Sequence, residues 1–167
     1  MNHHRKPKPK TLQNKVLFDI IRHFGGRGRE GLASLRKKSF VKASDSERYS
    51  YFEMSYNEAD KTHHGLDSRE KQKEPRMYEQ QSHDNCPVNS FEKYLSKLNP
   101  SCDTFFQRPL LNVQENDQIW YAKVSVGLNT LYNFMSRISV EAKFSRRYTN
   151  HCLRAEVAST LHSVLFY

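Results

Sequence analysis

The stretch "TLQNKVLFDIIRHFGGRGREGLASLRKKSF", residues 11–40, decides the fold class. Its first half repeats apolar residues at helical spacing, so that they form one stripe: Leu12, Val16, Leu17, Ile20, Ile21 and Phe24. Gly25 and Gly26 end or interrupt this helix. The second half predicts a turn and a shorter helix that leads to Phe40 and Val41. The first part of the domain is therefore predicted to be helical.

The middle of the chain mixes strand and helix patterns. Alternation and aromatic content predict a strand in "RYSYFEMSY", residues 48–56, and a short strand near "RMYEQ", residues 76–80. Pro87 and the apolar spacing of "PVNSFEKYLSKL", residues 87–98, predict a helix that ends at Asn99-Pro100. "DTFFQRPLL" and "QIWYAKV" are short and aromatic, and we expect extended segments at the domain surface.

Two helices are predicted near the C-terminal end. The first follows Gly127, with Leu128, Leu131, Met135, Ile138 and Ala142 on one face. The second begins at about Asn150, with Leu153, Val157, Leu161 and Leu165 inward. The predicted fold class is α+β, mainly helical, with a small antiparallel sheet. One domain over residues 11–167 follows a disordered basic tail, residues 1–10.

Positive charge is concentrated in two parts of the chain. The net charge is +9, and residues 1–48 hold 13 Lys/Arg against 4 Asp/Glu, whereas residues 49–167 hold 14 of each. A second local excess lies between Arg137 and Arg154, where five basic residues accompany only Glu141. The two segments together could form one basic surface for a polyanion such as nucleic acid. The alternative is a solvated basic surface with no such partner.

Several classes of protein are disfavoured by the sequence. Cys86, Cys102 and Cys152 are widely spaced and odd in number, which argues against a disulfide framework and a zinc knuckle. We expect no metal and no cofactor. No apolar run approaches the roughly 20 residues that span a bilayer, and the N-terminus lacks a secretory signal. We therefore expect a soluble, intracellular protein without a membrane partner.

His151 and Arg154 form an H-x-x-R pair at the start of the last predicted helix. Residues at i and i+3 project from one face, which here would lie at the rim of the core. A helix start also favours anions, so the two side chains could hold a phosphate there. The alternative is a capping histidine beside a surface arginine.

Residues earlier in the chain add to the H-x-x-R pair. Arg27 and Glu30 form an R-x-x-E pair, and Lys61 lies in a predicted turn after a strand. This order, with H-x-x-R near the end, resembles that of tyrosine recombinases. The segments "DKTHHG", "NCPVNSFEKYLSKLNP" and "RRYTNHCLRAEVASTL" look like those of the recombinase-like domain of Crypton DNA transposons. Domesticated copies of that domain lie at the C-terminal end of zinc finger MYM-type and glutamine-rich proteins.

The resemblance implies a tyrosine-recombinase catalytic-domain-like fold and a role for each residue of the site. Arg27 and Arg154 would clamp the non-bridging oxygens of a DNA phosphate, because paired guanidinium donors suit the charge that grows there. His151 would donate or shuttle a proton, Lys61 would protonate the departing sugar oxygen, and Glu30 would orient an arginine. Further contacts to DNA are expected from the basic residues Arg29, Lys37, Lys38, Arg146 and Arg147.

The resemblance to tyrosine recombinases gives no residue of this chain for the tyrosine nucleophile. If the last helix continues, Tyr167 lies roughly 20 Å along its axis from Arg154, so we do not assign it as the nucleophile. We expect a truncated domain without its C-terminal helices, which binds double-stranded DNA without cleaving it and self-associates through the uncovered last helix. The relatives imply a nuclear setting with chromatin or transcription proteins. The alternatives are a fragment of an active strand transferase and a protein-interaction module.

Overall fold

The computed structural model describes residues 8–24, 29–55, 75–81 and 85–153. Five α-helices are assigned within these ranges: α1 Pro9–Phe24, α2 Arg29–Ser34, α3 Pro87–Lys97, α4 Leu128–Tyr132 and α5 Phe134–Glu141. The assigned strands are β1 Phe40–Ser44, β2 Ser50–Met54, β3 Arg76–Tyr78, β4 Gln107–Pro109 and β5 Tyr121–Ser125. This mixture of helices and small antiparallel sheets agrees with the predicted α+β class.

Helices α1 and α3 pack against each other at the centre of the fold. The middle of the α1 stripe is buried as its spacing predicts, with Val16 and Ile21 fully inaccessible to solvent, whereas Leu12 and Phe24 at its ends are partly buried. The helix begins at Pro9, two residues before the predicted start, because proline suits the first turn. Its start is also tethered there, since Tyr121 donates a hydrogen bond from its hydroxyl to the carbonyl of Pro9 at 2.9 Å.

The three-stranded antiparallel sheet has the order β1-β2-β3. Strands β2 and β3 lie where the sequence predicts them, and Phe52 pairs in register with Met77. Strand β1 was not predicted: the chain leaves α2 through a short 3-10 turn, Lys37–Ser39, and then extends along β2. Pairing with β2 and burial of Phe40 against the rings of Phe24, Phe91 and Phe105 stabilise the extended form.

The two aromatic segments predicted at the surface are extended and pair as β4 and β5, as expected. Their ends are exposed, Leu111 and Val124 among them, but the aromatic residues Phe105, Phe106, Trp120 and Tyr121 are all buried. The surface placement was wrong for these four rings because the strands are too short for alternation to indicate a buried face. Trp120 donates from Nε1 to the carbonyl of Gln114 at 3.2 Å. The ammonium groups of Lys93 and Lys97 lie 5.2 and 4.9 Å from its ring centre.

The helix predicted after Gly127 is split into α4 and α5 at Asn133. The cause is Asn150, whose side-chain amide lies between Leu131 and Met135. Asn150 Oδ1 accepts from the amide of Met135, and Nδ2 donates to the carbonyl of Leu131, both at 3.0 Å. In a continuous helix those two backbone groups would bond to each other. A side chain inserted in this way is a recognised cause of a helix break.

Three further features bear on the class of protein. The thiols of Cys86, Cys102 and Cys152 are free. Within the described ranges, no helix is both long enough and apolar enough to cross a bilayer. The same residues contain no group of three or more His, Cys, Asp or Glu side chains arranged to hold a metal ion.

Candidate nucleic-acid interface

The segment after α5, residues 142–149, is named here the basic-aromatic loop. It contains Lys143, Arg146 and Arg147 and no acidic residue. All three basic residues are exposed. The nearest acid in sequence, Glu141, is paired with Lys10 at 3.1 Å. The loop therefore carries three exposed positive charges within five residues of sequence.

Backbone hydrogen bonds fix the start of this loop. The amide of Phe144 bonds to the carbonyl of Ser139 at 3.0 Å, and that of Lys143 bonds to the carbonyl of Val140 at 3.1 Å. This is the Schellman pattern that ends many helices, and its left-handed position usually holds glycine. Here Lys143 occupies it with φ 53°. A lysine in that conformation costs about 1 kcal/mol, so its charge lies at a strained position.

The end of the loop is anchored to α5 and to the helix break. The amide of Tyr148 donates to Ser139 Oγ at 3.0 Å, and the same hydroxyl donates to the carbonyl of Met135 at 2.8 Å. Two residues later, the buried Asn150 makes its two bonds to the helix break. Both ends of the loop are thus held, while its charged side chains face solvent.

Aromatic rings alternate with the charges of the loop. The rings of Phe144 and Tyr148 meet edge to face with their centres 5.9 Å apart. The guanidinium of Arg146 stacks over Tyr148 at 4.7 Å from the ring centre, and Phe144 remains half exposed. Stacking on a ring face restrains Arg146 without using the in-plane N–H groups of its guanidinium. Such donors suit the oxygens of a phosphate.

His151 lies next to the loop, in the helical turn that begins at Asn150. Its side chain is exposed, whereas the sequence placed it at the rim of the core. His151 is therefore accessible to a ligand that lies along the loop.

Beside His151, the hydroxyl of Thr149 lies 3.4 Å from the thiol of Cys152 and lowers the pKa of that thiol.

The other predicted residues fall into two groups. Lys38 is exposed, but Lys37 donates from Nζ to the carbonyl of Asn99 at 2.6 Å, so its ammonium is used within the fold. Outside the described residues lie Arg27, Lys61, Arg154, Tyr167 and the side chains of Arg29 and Glu30. Among the predicted contact residues, His151, Arg146 and Arg147 are thus all exposed on one stretch of chain, residues 146–151.

The sequence analysis counted Lys143 in a basic segment without naming it as a DNA contact, and it missed Phe144 and Tyr148. The signal for them was the run "KFSRRY", residues 143–148, in which basic and aromatic residues alternate without an acid. Such interleaving is typical of surfaces that hold nucleic acids.

Comparison with known proteins places the chain in a family. Zinc finger MYM-type protein 2 of Mus musculus and of Homo sapiens are each 39% identical to it over 57 residues. The aligned stretch is 32% of this chain and only 4% of the length of each relative. No solved structure matches the chain. A family model described as "Domain of unknown function (DUF3504)" matches residues 3–140, which excludes the basic-aromatic loop. Because that match covers most of its length, the chain belongs to the DUF3504 family.

Proposed function

We propose that this chain is a recombinase-derived DNA-binding domain that grips the backbone of a duplex with its basic-aromatic loop. The observation that carries the proposal is the exposed cluster of Lys143, Arg146 and Arg147, fixed at both ends and free of acidic neighbours within the loop. Phosphate contacts of this kind supply affinity without reading sequence.

The geometry of the loop favours a polyanion over a solvated surface. Charges that only improve solubility need no fixed orientation, whereas Arg146 is stacked on Tyr148 and Lys143 sits at a strained backbone position. Strain of this kind persists where the surrounding structure holds it, and it is concentrated at functional sites. His151 would extend the contact by one helical turn.

The finer proposal is descent from a Crypton-type tyrosine recombinase. Its support is the order of Arg27, Lys61 and the H-x-x-R pair, together with the partial match to zinc finger MYM-type protein 2. In this proposal Arg27, Lys61, His151 and Arg154 contact one phosphate. The domain would act in the nucleus beside chromatin or transcription proteins, as the zinc finger name of the relatives suggests.

Fluorescence anisotropy of a labelled duplex across a salt series tests the proposal. For the unmodified chain, we expect binding that weakens steeply as salt rises. Arg146→Gln/Arg147→Gln should weaken binding and reduce the slope of log K against log salt by about 2, or about 1 for each DNA phosphate that is no longer neutralised. The matched control is Lys42→Gln/Lys93→Gln, which removes the same charge from β1 and α3, where both lysines are ion-paired.

The outcomes separate the rival functions. Equal losses in the two double variants would assign the affinity to net charge and contradict a dedicated loop. Unchanged binding in Arg27→Ala/Arg154→Ala, shown to be folded, would contradict the recombinase-derived phosphate cluster. A covalent protein–DNA adduct on a denaturing gel would support the strand-transferase alternative. The absence of binding even at low salt would overturn the DNA proposal in favour of a protein-interaction module.

A further inference from the structure

A second cluster of basic residues lines a groove on other elements of the fold. The groove lies between the start of α1, the end of β4 and the junction of β5 with α4, and its volume is about 390 Å³. Lys10, Arg108 and Arg137 line it, and none of the described residues that line it is acidic. Three cations from three separate elements thus converge on one concave surface.

Arg137 lines this groove with a guanidinium group whose donors are not all used. Its Nε is buried and, within the described part of the chain, has no hydrogen-bond partner. Its Nη2 lies 3.5 Å from Asn14 Oδ1, which is long for a hydrogen bond. A buried guanidinium N–H without an acceptor is unfavourable. An anion bound by the outer Nη groups of the same guanidinium would offset part of that cost.

We propose that this groove binds a phosphate group carried on a body no larger than one nucleotide. Arg137 and Arg108 would hold the phosphate oxygens through their guanidinium donors, with Lys10 at the edge. Pro109 and Val126 form a less polar wall for the rest of the ligand. The volume lies near the lower end of small-molecule sites, about 300–1,000 Å³, and so fits a single unit rather than an extended chain.

Two neighbouring contacts set the limits of the site. Lys10 is paired with Glu141 at 3.1 Å, but both side chains are about half exposed, so the pair can open at little cost. Gln13 forms a fixed wall, since its side-chain nitrogen donates to the hydroxyl of Tyr94 and to the carbonyl of Gln107. The phosphate could belong to a free nucleotide or to the backbone of a DNA strand, of which only one nucleotide unit would enter the groove. The site does not depend on the basic-aromatic loop.

Isothermal titration calorimetry with thymidine 5′-monophosphate, inorganic phosphate and unphosphorylated thymidine tests the site. We expect the nucleotide to bind, phosphate to compete with it, and thymidine not to bind. Arg108→Gln removes an exposed side chain, so the fold should survive, and affinity should fall about tenfold or more. Arg137→Lys keeps the charge but removes the planar guanidinium and its paired donors, and it should give a similar loss. The control is Lys123→Gln, an exposed β5 residue that does not line the groove.

Each outcome bears on the site. Equal affinity in Arg108→Gln and the unmodified chain, or equal binding of thymidine and its monophosphate, would overturn the proposal. Arg146→Gln/Arg147→Gln should leave nucleotide binding unchanged while it weakens duplex binding, so failure of one proposal is distinguishable from failure of the other. If the groove takes a free nucleotide, saturation with the nucleotide will leave duplex affinity unchanged. If it takes a backbone phosphate, the nucleotide will compete with the duplex.

Discussion

Asn150 Oδ1 accepts a hydrogen bond from the backbone amide of Met135 at 3.0 Å, in place of the helical carbonyl partner of that amide. The same side chain donates to the displaced carbonyl, that of Leu131. One buried amide therefore both breaks the helix between α4 and α5 and fixes the end of the basic-aromatic loop. Stability and the position of the proposed interface depend on the same residue.

We expect Asn150→Ala to lower the free energy of unfolding by about 1–3 kcal/mol, because it leaves buried backbone groups without their partners. Urea denaturation followed by circular dichroism measures the change. Asn112→Ala, at an exposed loop position, is the control and should change stability by less than about 0.5 kcal/mol. Equal stability of the two variants would contradict the role of the inserted amide.

Lys143→Gly should separate stability from binding. Glycine relieves the left-handed strain at φ 53°, so we expect the free energy of unfolding to rise by about 0.5–1 kcal/mol. Loss of the ammonium should at the same time weaken duplex binding at low salt. Lys143→Gln loses the charge and keeps the strain, so it should weaken binding without stabilising the fold. A glycine variant that binds DNA like the unmodified chain would exclude Lys143 from the interface.

Tyr94→Phe should destabilise the packing of α1 on α3. The Tyr94 hydroxyl donates to the carbonyl of Phe105 at 2.9 Å and accepts from Gln13 at 3.0 Å, all in the core. Its removal costs about 1–3 kcal/mol of unfolding free energy, because the carbonyl of Phe105 stays buried without a donor. Chemical denaturation of Tyr94→Phe beside the exposed control Tyr49→Phe measures this cost. A loss of the same size in both variants would show that the buried hydroxyl of Tyr94 stabilises the fold no more than an exposed hydroxyl does.

His23 makes the stability of the fold depend on pH. Burial, with the charges of Arg22 and Lys15, lowers the pKa of His23 from 6.5 to about 4. The unfolded chain therefore takes up this proton first, and stability should fall as the pH drops from 6.5 towards 4. His23→Gln should flatten that part of the curve, measured as urea midpoints against pH. Burial raises the pKa of Asp19, which acts with the opposite sign but is present in both proteins.

The matched control for this measurement is His151→Gln, since His151 is an exposed histidine. That variant should retain the pH dependence of the unmodified chain. If His23→Gln and the unmodified chain lose stability in parallel, other groups cause the decline.

Cys152 should react fastest of the three thiols. It is exposed, and its hydrogen bond with Thr149 lowers its pKa and favours the reactive thiolate, whereas Cys86 is buried. Mass mapping after brief alkylation should find the label on Cys152 first. If DNA lies along the loop and His151, a bound duplex should slow this labelling. Faster labelling of Cys86 would contradict the fold, and equal rates with and without DNA would place the duplex elsewhere.

The long helices could be predicted because the apolar spacing that defines each buried face lies within one continuous stretch of sequence. In α3, Pro87, Val88 and Phe91 carry both the start signal and the buried face. The positions of Phe105 and Trp120 could not be predicted, because strands of three to five residues show too little periodicity. The full burial of Gln107 could not be predicted either. Its side chain bonds to the backbone of Asn99, Cys102 and Thr104, and composition gives no sign of those partners.

The candidate interface was predicted in part. The charges of Arg146 and Arg147 are visible in the sequence, and both are exposed as a contact surface requires. The break at Asn133 depends on Asn150, which lies 15 positions after Met135. No local sequence pattern predicts the insertion of the Asn150 side chain, because the apolar spacing of α4 and α5 continues across the break.

The chain contains a single tryptophan, and its surroundings give the protein a built-in optical probe. Trp120 is buried, its ring N–H is bonded, and two ammonium groups lie near its face. Its emission therefore reports one defined site at the junction of α3 and β5, with no overlap from a second indole. Unfolding will shift that emission to longer wavelength as water reaches the ring. Any of the variants above can thus be checked for a native core without an added label.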